Sequence, residues 1–165
     1  MQKGFTLIEL MVTLVVLVIA LTIAVPNFSE WIKNNRIDSA TRTLASALQL
    51  ARNEAVSRQT VITVNNGGNW GNGLTIYTDT TPTGNTAFTA GDILIKDLDF
   101  SMDDITADSM DGNDNFISFT STGLLNEGVN QRIIAICDDR GVDEGTAITI
   151  NVVGRTNISN ATTCP

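Results

Sequence analysis

The 165-residue chain has no histidine and only two cysteines. Without histidine it lacks the commonest general base and metal ligand, and two cysteines alone offer no Cys/His spacing for a metal. Neither a P-loop nor a Gly-x-Ser-x-Gly elbow occurs, and no pattern sets two of the many aspartates beside a substrate surface. The sequence therefore reads as a non-enzyme that needs no cofactor. Basic residues are also scarce, 10 Lys and Arg against 18 Asp and Glu, for a net charge of −8. That balance favours solubility and opposes nonspecific attraction to nucleic acid. No small-residue A-x-A cleavage site follows the apolar run that ends at Val25, so the run is expected to stay on the protein. Internal repeats and long linkers are missing too, and what remains beyond the apolar run is enough for one domain.

The apolar run itself is the dominant positive feature. From Phe5 to Val25 a single charge, Glu9, interrupts it. Roughly 20 residues at about 1.5 Å rise per residue span about 30 Å, the thickness of a bilayer core. Lys3 precedes the span and Lys33, Arg36 and Arg42 follow it, so flanking charge does not set its orientation. A carboxylate near a membrane span costs about 2–3 kcal/mol and usually has a partner, so Glu9 either finds one or snorkels to the interface.

Beyond Val25 the helical period continues. Ile37, Ala40, Leu44, Leu48, Ala51 and Ala55 recur three or four residues apart, with Arg36, Arg42, Asn53 and Arg58 on other faces. Pro26 removes a backbone donor and clashes with the preceding turn, which predicts a kink in a continuous helix; a break between two helices is the alternative. From Thr60 the period shifts to two. About six short strands are expected, over 60–64, 74–77, 93–95, 116–119, 132–136 and 147–152, with turn signals at 65–68, 82–85, 111–113 and 140–141. The fold class is therefore α+β: a long N-terminal helix, transmembrane and then amphipathic, packed on a C-terminal antiparallel β domain.

Met1-Gln2-Lys3-Gly4 followed by Phe5-Thr6-Leu7-Ile8-Glu9-Leu10 resembles the leader of type IV prepilins. Three later stretches, 69–77, 117–123 and 148–155, are similar in order and kind to the GspH/FimT/FimU family of minor pseudopilins and minor pilins. The resemblance implies a type IV pilin-like fold, with residues 1–4 as a leader cut after Gly4 by prepilin peptidase and Phe5 N-methylated. It divides the remainder into a transmembrane or filament-core helix over 5–27, an amphipathic helix over 28–59 and a β domain over 60–165. Glu9 would pair with the amine of Phe5, on an adjacent subunit or its own. The span would sit in the bacterial inner membrane with the β domain in the periplasm, and later in a filament at the cell surface. The oxidising periplasm makes a Cys137–Cys164 disulfide the natural inference, with two free thiols as the alternative. Such a bridge would pin the C-terminus and contribute roughly 3–4 kcal/mol.

The implied function is that of a minor pilin that helps start type IV pilus assembly near the filament tip, with other major and minor pilins as partners. The Cys-Pro ending with its upstream Cys137 favours a FimU-type subunit over the alternative, an H-type pseudopilin of type II secretion. A second alternative is a DNA receptor, because some FimT proteins carry Gly-Arg-x-Arg near the C-terminus. Here Gly154-Arg155 is followed by Asn157 in place of the second arginine, and no basic residue lies between Arg155 and Pro165. Arg132, Arg140 and Arg155 remain DNA-contact candidates only if they cluster in space. The aspartate-rich stretch from Asp92 to Asp114 is read as a solvated acidic loop. Asp111, Asn113 and Asn115 form a calcium candidate, although the EF-hand glycine and distal glutamate are absent. Trp70, among Gly and Asn, is read as an anchor for a turn, with ligand stacking as the alternative.

Overall fold

The computed structural model describes every residue except 1–3, 5, 81–87, 103, 111–114, 127, 129, 143 and 165, together with the side chains of 26 and 27. One helix, α1 (Leu7–Arg58), precedes eight strands: β1 (Val61–Asn65), β2 (Leu74–Asp79), β3 (Ile93–Leu98), β4 (Thr106–Ser109), β5 (Phe116–Phe119), β6 (Gln131–Cys137), β7 (Thr146–Asn151) and β8 (Thr156–Asn160). Contacts divide the chain into a unit of Met1–Asn35 and a unit of Arg36–Pro165.

The first unit is helical from Leu7 onward, and its large apolar side chains through Val25 are exposed. The most apolar part of α1 has a mean hydropathy of 2.8 with none of it buried against the protein, so it is long and apolar enough to cross a membrane. The helix is uninterrupted at position 26, as the continuous reading requires.

The second unit holds the core. Ile37, Ala40, Leu44, Leu48, Ala51 and Ala55, the stripe picked out by helical spacing, are all buried. They share one cluster with Ile62, Val64, Ile76, Ile117 and Phe119 of one sheet and Ile134, Ile136, Ile148 and Ile150 of the other. The sheets run β3-β2-β1-β5 and β4-β6-β7-β8, antiparallel throughout. Alternation along β1 turns Ile62 and Val64 to the core and Thr63 to the opposite face, opposite Tyr77 and Ser118 in register. Thr63 is buried there as well, and its hydroxyl meets Ser118 Oγ at 2.9 Å and donates to Asp79 Oδ2 at 3.3 Å, which satisfies polar groups that burial would otherwise penalise.

Six strands were expected, and the described residues form eight. The two extra ones, β4 and β8, are short sheet edges rich in Thr, Asn, Ser and Asp, and they lack the apolar alternation that marks a half-buried strand. The stretch read as an acidic loop therefore contributes β4 as well as β3. Asn65 and Asn66 close the expected turn after β1 by accepting from the backbone N–H groups of Gly67 and Gly68 at 2.7 and 2.8 Å.

Candidate assembly site

At the N-terminus, Thr6 and Glu9 form a reciprocal cap on α1. Glu9 N–H donates to Thr6 Oγ1 at 3.3 Å, and Thr6 N–H points at Glu9 Oε2 at 3.5 Å. This is the T-x-x-E capping box, with Thr6 as N-cap and Glu9 three residues on, where a carboxylate also meets the positive end of the helix dipole. The spacing Thr6-Leu7-Ile8-Glu9 is readable in the sequence, where the expectation for Glu9 is pairing with the amine of Phe5. Gly4 is exposed, and Phe5, the other processing residue, lies outside the described residues. Further along, Phe28 and Trp31 stack with ring centroids 5.7 Å apart while both stay more than half exposed. The large apolar side chains from Leu7 to Val25, with Phe28 and Trp31, are thus exposed along this part of α1.

At the other end of the sequence, Cys137 and Cys164 are joined in a disulfide with Cα atoms 6.0 Å apart. They sit in a small cluster of their own with Ala147, Ala161 and Ile133. The bridge ties the segment after β8 back to the end of β6.

The three arginine candidates have separate fates. Arg132, on β6, is buried. Arg140 is nearly buried and held by Asp138, with Nε and Nη2 reaching Oδ2 at 2.9 and 2.7 Å, and it also approaches Glu144 at 3.9 Å. Arg155 is exposed at the start of the β7–β8 return. It lines a surface cavity of about 270 Å³ with Gln49, Arg52, Asn53, Gly154 and Thr156. Arg52 donates its Nε to the Gly123 carbonyl at 3.0 Å, and Gln49 Nε2 donates to Thr156 Oγ1 at 3.2 Å, so α1 and the β7–β8 hairpin are stitched on both sides of the cavity. Arg52 was not among the residues picked out in the sequence, because Gly123, which it meets in space, lies 71 residues away and Gly154 and Arg155 lie farther still.

The acidic stretch is organised by individual bonds. Asp92 accepts from Thr80 through Oδ1, from N–H and hydroxyl alike at 3.0 Å, and from Thr89 through Oδ2 at 2.8 and 2.7 Å. Partial burial raises its pKa, but these four hydrogen bonds outweigh that and bring it down to about 2. Asp104 pairs with Arg36 at 3.2 Å. Of the calcium candidates, Asn115 is exposed, while Asp111 and Asn113 lie outside the described residues. Among the described residues no three His, Cys, Asp or Glu side chains converge. Trp70 is buried in the main core cluster, where its ring packs and does not face solvent.

Comparison with known proteins bears on these features together. Residues 40–154 match the family described as Type II transport protein GspH, and residues 1–25 match the prokaryotic N-terminal methylation motif. No curated relative matches the chain. Among solved structures, the chain is similar to the type IV minor pilin FimU of Pseudomonas aeruginosa strain PAO1 in two crystal forms. One shares 26% identity with a TM-score of 0.63 over 82% of this chain and 96% of FimU. The other shares 27% identity with a TM-score of 0.62 over 78% and 96%. The fold is thus the type IV pilin fold, one long N-terminal helix followed by antiparallel sheets.

Proposed function

The chain belongs to the GspH family and carries a prokaryotic N-terminal methylation motif, and from that premise we propose that it is a minor pilin, a non-catalytic subunit that helps start type IV pilus assembly and sits near the filament tip. The observation that carries this reading is the likeness to FimU, itself a type IV minor pilin, across 96% of that chain. Prepilin peptidase cuts between Gly4 and Phe5, and Phe5 is N-methylated. Residues 5–27 then hold the subunit in the bacterial inner membrane, Pro26 kinks the helix where it leaves the bilayer, residues 28–59 form the amphipathic continuation, and residues 60–165 form a periplasmic β domain. On assembly the uncovered apolar surface of α1 moves from lipid to the helices of other pilins. Glu9 sets the register by exchanging its 3.5 Å contact with the Thr6 N–H for the amine of a neighbouring subunit, where both partners carry a charge instead of one.

The second reading is an H-type pseudopilin of the type II secretion system, and the description of the matched family favours it. DNA capture draws less support. Arg132 is buried, Arg140 is held by Asp138, and position 157 is Asn. Strong phosphate binding needs many cationic contacts acting together.

The test is the yield of sheared surface filaments from a strain lacking the chain, complemented with wild type or Glu9→Ala. We expect the deletion to lose filaments, wild type to restore them, and Glu9→Ala to fail. Unchanged filaments with lost export of secreted proteins would assign the chain to type II secretion instead.

A further inference from the structure

Four aliphatic side chains near the end of α1 stand open to solvent: Val56, Leu124, Val152 and Val153 are each between 41% and 49% exposed. They come from three segments, α1, the β5–β6 connection and the β7–β8 turn. These segments are in direct contact. Leu125 N–H donates to the Val152 carbonyl at 3.0 Å. Gly123 sits against the helix so closely that a Cβ there would lie 2.9 Å from Val56 Cγ2 and 3.3 Å from Arg52 Nε. The β7–β8 turn is rigidly set: Gly154 N–H returns to the Asn151 carbonyl at 2.8 Å, Asn151 N–H to the Arg155 carbonyl at 3.1 Å, and Arg155 N–H to Asn151 Oδ1 at 2.9 Å. Gly154 has a φ of +73°, and a Cβ on it would fall 2.1 Å from the Gly123 carbonyl and 2.7 Å from Arg52 Nε. Only glycine permits this close approach, and it is what brings Arg155 beside Arg52.

Gln49, Arg52, Asn53 and Val56 follow the i, i+3, i+4, i+7 spacing, so one stripe of α1 runs from the polar cavity to the aliphatic patch. The cavity lining consists of two guanidinium groups, two amides, a hydroxyl and a glycine, without a carboxylate. Elsewhere Arg36, Arg42, Arg58 and Arg140 are matched with Asp104, Asp38, Glu54 and Asp138. Arg52 spends only its Nε, on a carbonyl, and among the described residues neither Arg52 nor Arg155 meets a carboxylate. A chain with a net charge of −8 thus gathers two guanidinium groups at one place with no carboxylate among the described residues beside them, bordered by aliphatic surface.

A planar carboxylate matches that pair of forks in geometry and charge. Nucleic acid would gain little here: two cations are few for a polyanion, and aliphatic side chains contribute nothing to a phosphate backbone. A protein segment gains on both counts, because it buries the aliphatic rim at about 25 cal/mol per Å² while its acid is paired.

We infer that this face docks another pilin-type subunit, which inserts an Asp or Glu carboxylate between Arg52 and Arg155 and covers Val56, Leu124, Val152 and Val153 with apolar side chains beside that acid. This rests on the assembly reading above.

The experiment places a benzoylphenylalanine photocrosslinker at Val153 of the full chain in cells that assemble the filament. The expected adduct is a pilin-type subunit joined at a peptide that contains Asp or Glu, and Arg155→Glu lowers its yield at least tenfold. Arg155→Gln, which keeps a polar side chain of similar length if the charge reversal accumulates poorly, lowers it too. An adduct that survives both substitutions, one joined at a peptide without an acid, or no protein adduct overturns the docking site. So does binding of a fluorescent 30-base-pair duplex by the detergent-solubilised chain that is lost in Arg155→Glu, which would assign the face to nucleic acid. Filament yield in the same strains separates the two failures: filaments that depend on the chain without the adduct sink this surface alone, whereas filaments indifferent to the chain sink the assembly reading.

Discussion

Tyr77 is the only tyrosine in the chain, and it reports on the side of the first sheet turned away from the main core. Burial, followed by the nearby charges of Asp79 and Asp92, pushes its phenol up to about 12 despite a hydrogen bond from Asn65 that acts the other way. A raised pKa means the folded protein holds the proton more tightly than the unfolded chain, so this contribution is complete below pH 10 and is lost as pH rises from 10 through about 12. The ultraviolet absorbance of the phenolate should therefore develop near pH 12 in the native chain and near 10 after denaturation; a native transition at 10 would show that the phenol is solvated. Asp92 works in the opposite sense. With its pKa at about 2, its contribution is complete above the ordinary value of 3.8 and is lost as pH falls from there toward 2. Asp92→Asn should lower the melting temperature at pH 7, and the gap to wild type should narrow as the pH approaches 2; a constant gap would mean that the carboxylate's charge is not what the Thr80 and Thr89 donors recognise. The nearest contact of Glu9 is the local capping box with Thr6, three residues back, whereas the partner expected from the sequence is the amine of Phe5.

Among the elements, the Cys137–Cys164 bridge ties the end of β6 to the segment following β8, across a separation of 27 residues. Constraining a loop of that size in the unfolded chain contributes about 3–4 kcal/mol on the chain-entropy estimate. Cys164→Ser should lower the unfolding free energy of the detergent-solubilised chain by about that amount. Reductant should bring wild type down to the same melting temperature and leave the variant where it is; insensitivity of wild type to reductant would remove the bridge from the account of stability. The strands legible in the sequence, β1, β2, β3, β5, β6 and β7, are those with Ile, Val, Leu or Phe at alternate positions. Thr106-Ala107-Asp108-Ser109 and Thr156-Asn157-Ile158-Ser159-Asn160 form strands because a hydrogen-bonding partner lies beside them, in β6 and β7, and their own composition carries little of that information. The same holds for the Arg52 and Arg155 cavity. It exists because a left-handed glycine brings a hairpin against a helix about a hundred residues earlier, a juxtaposition that no local pattern encodes.

For the molecule as a whole, the central physical problem is the surface of α1 from Leu7 to Val25, whose large apolar side chains are exposed. Lipid and the helices of other pilins are two apolar environments that can cover it, and the proposed assembly transfers it from one to the other. A charge on this surface is penalised in both. Leu17 lies near the middle of the span and is about half exposed along the bare helix. Leu17→Lys places an ammonium where insertion costs about 2.5–3.5 kcal/mol, and it cannot reach an interface as easily as Glu9, which sits one turn from the helix start. A cost of about 3 kcal/mol corresponds to roughly a hundredfold loss in the assembled population. Leu17→Lys should therefore cut recovery of the chain in sheared filaments by that order, whereas Leu17→Ile, similar in volume and apolar, should assemble like wild type. Fractionation distinguishes where the loss occurs: a variant that reaches the inner membrane but is missing from filaments fails at helix packing, and one missing from both fails at insertion. Normal incorporation of Leu17→Lys would mean that this part of α1 faces neither lipid nor subunits, and would overturn the filament-core assignment of residues 5–27.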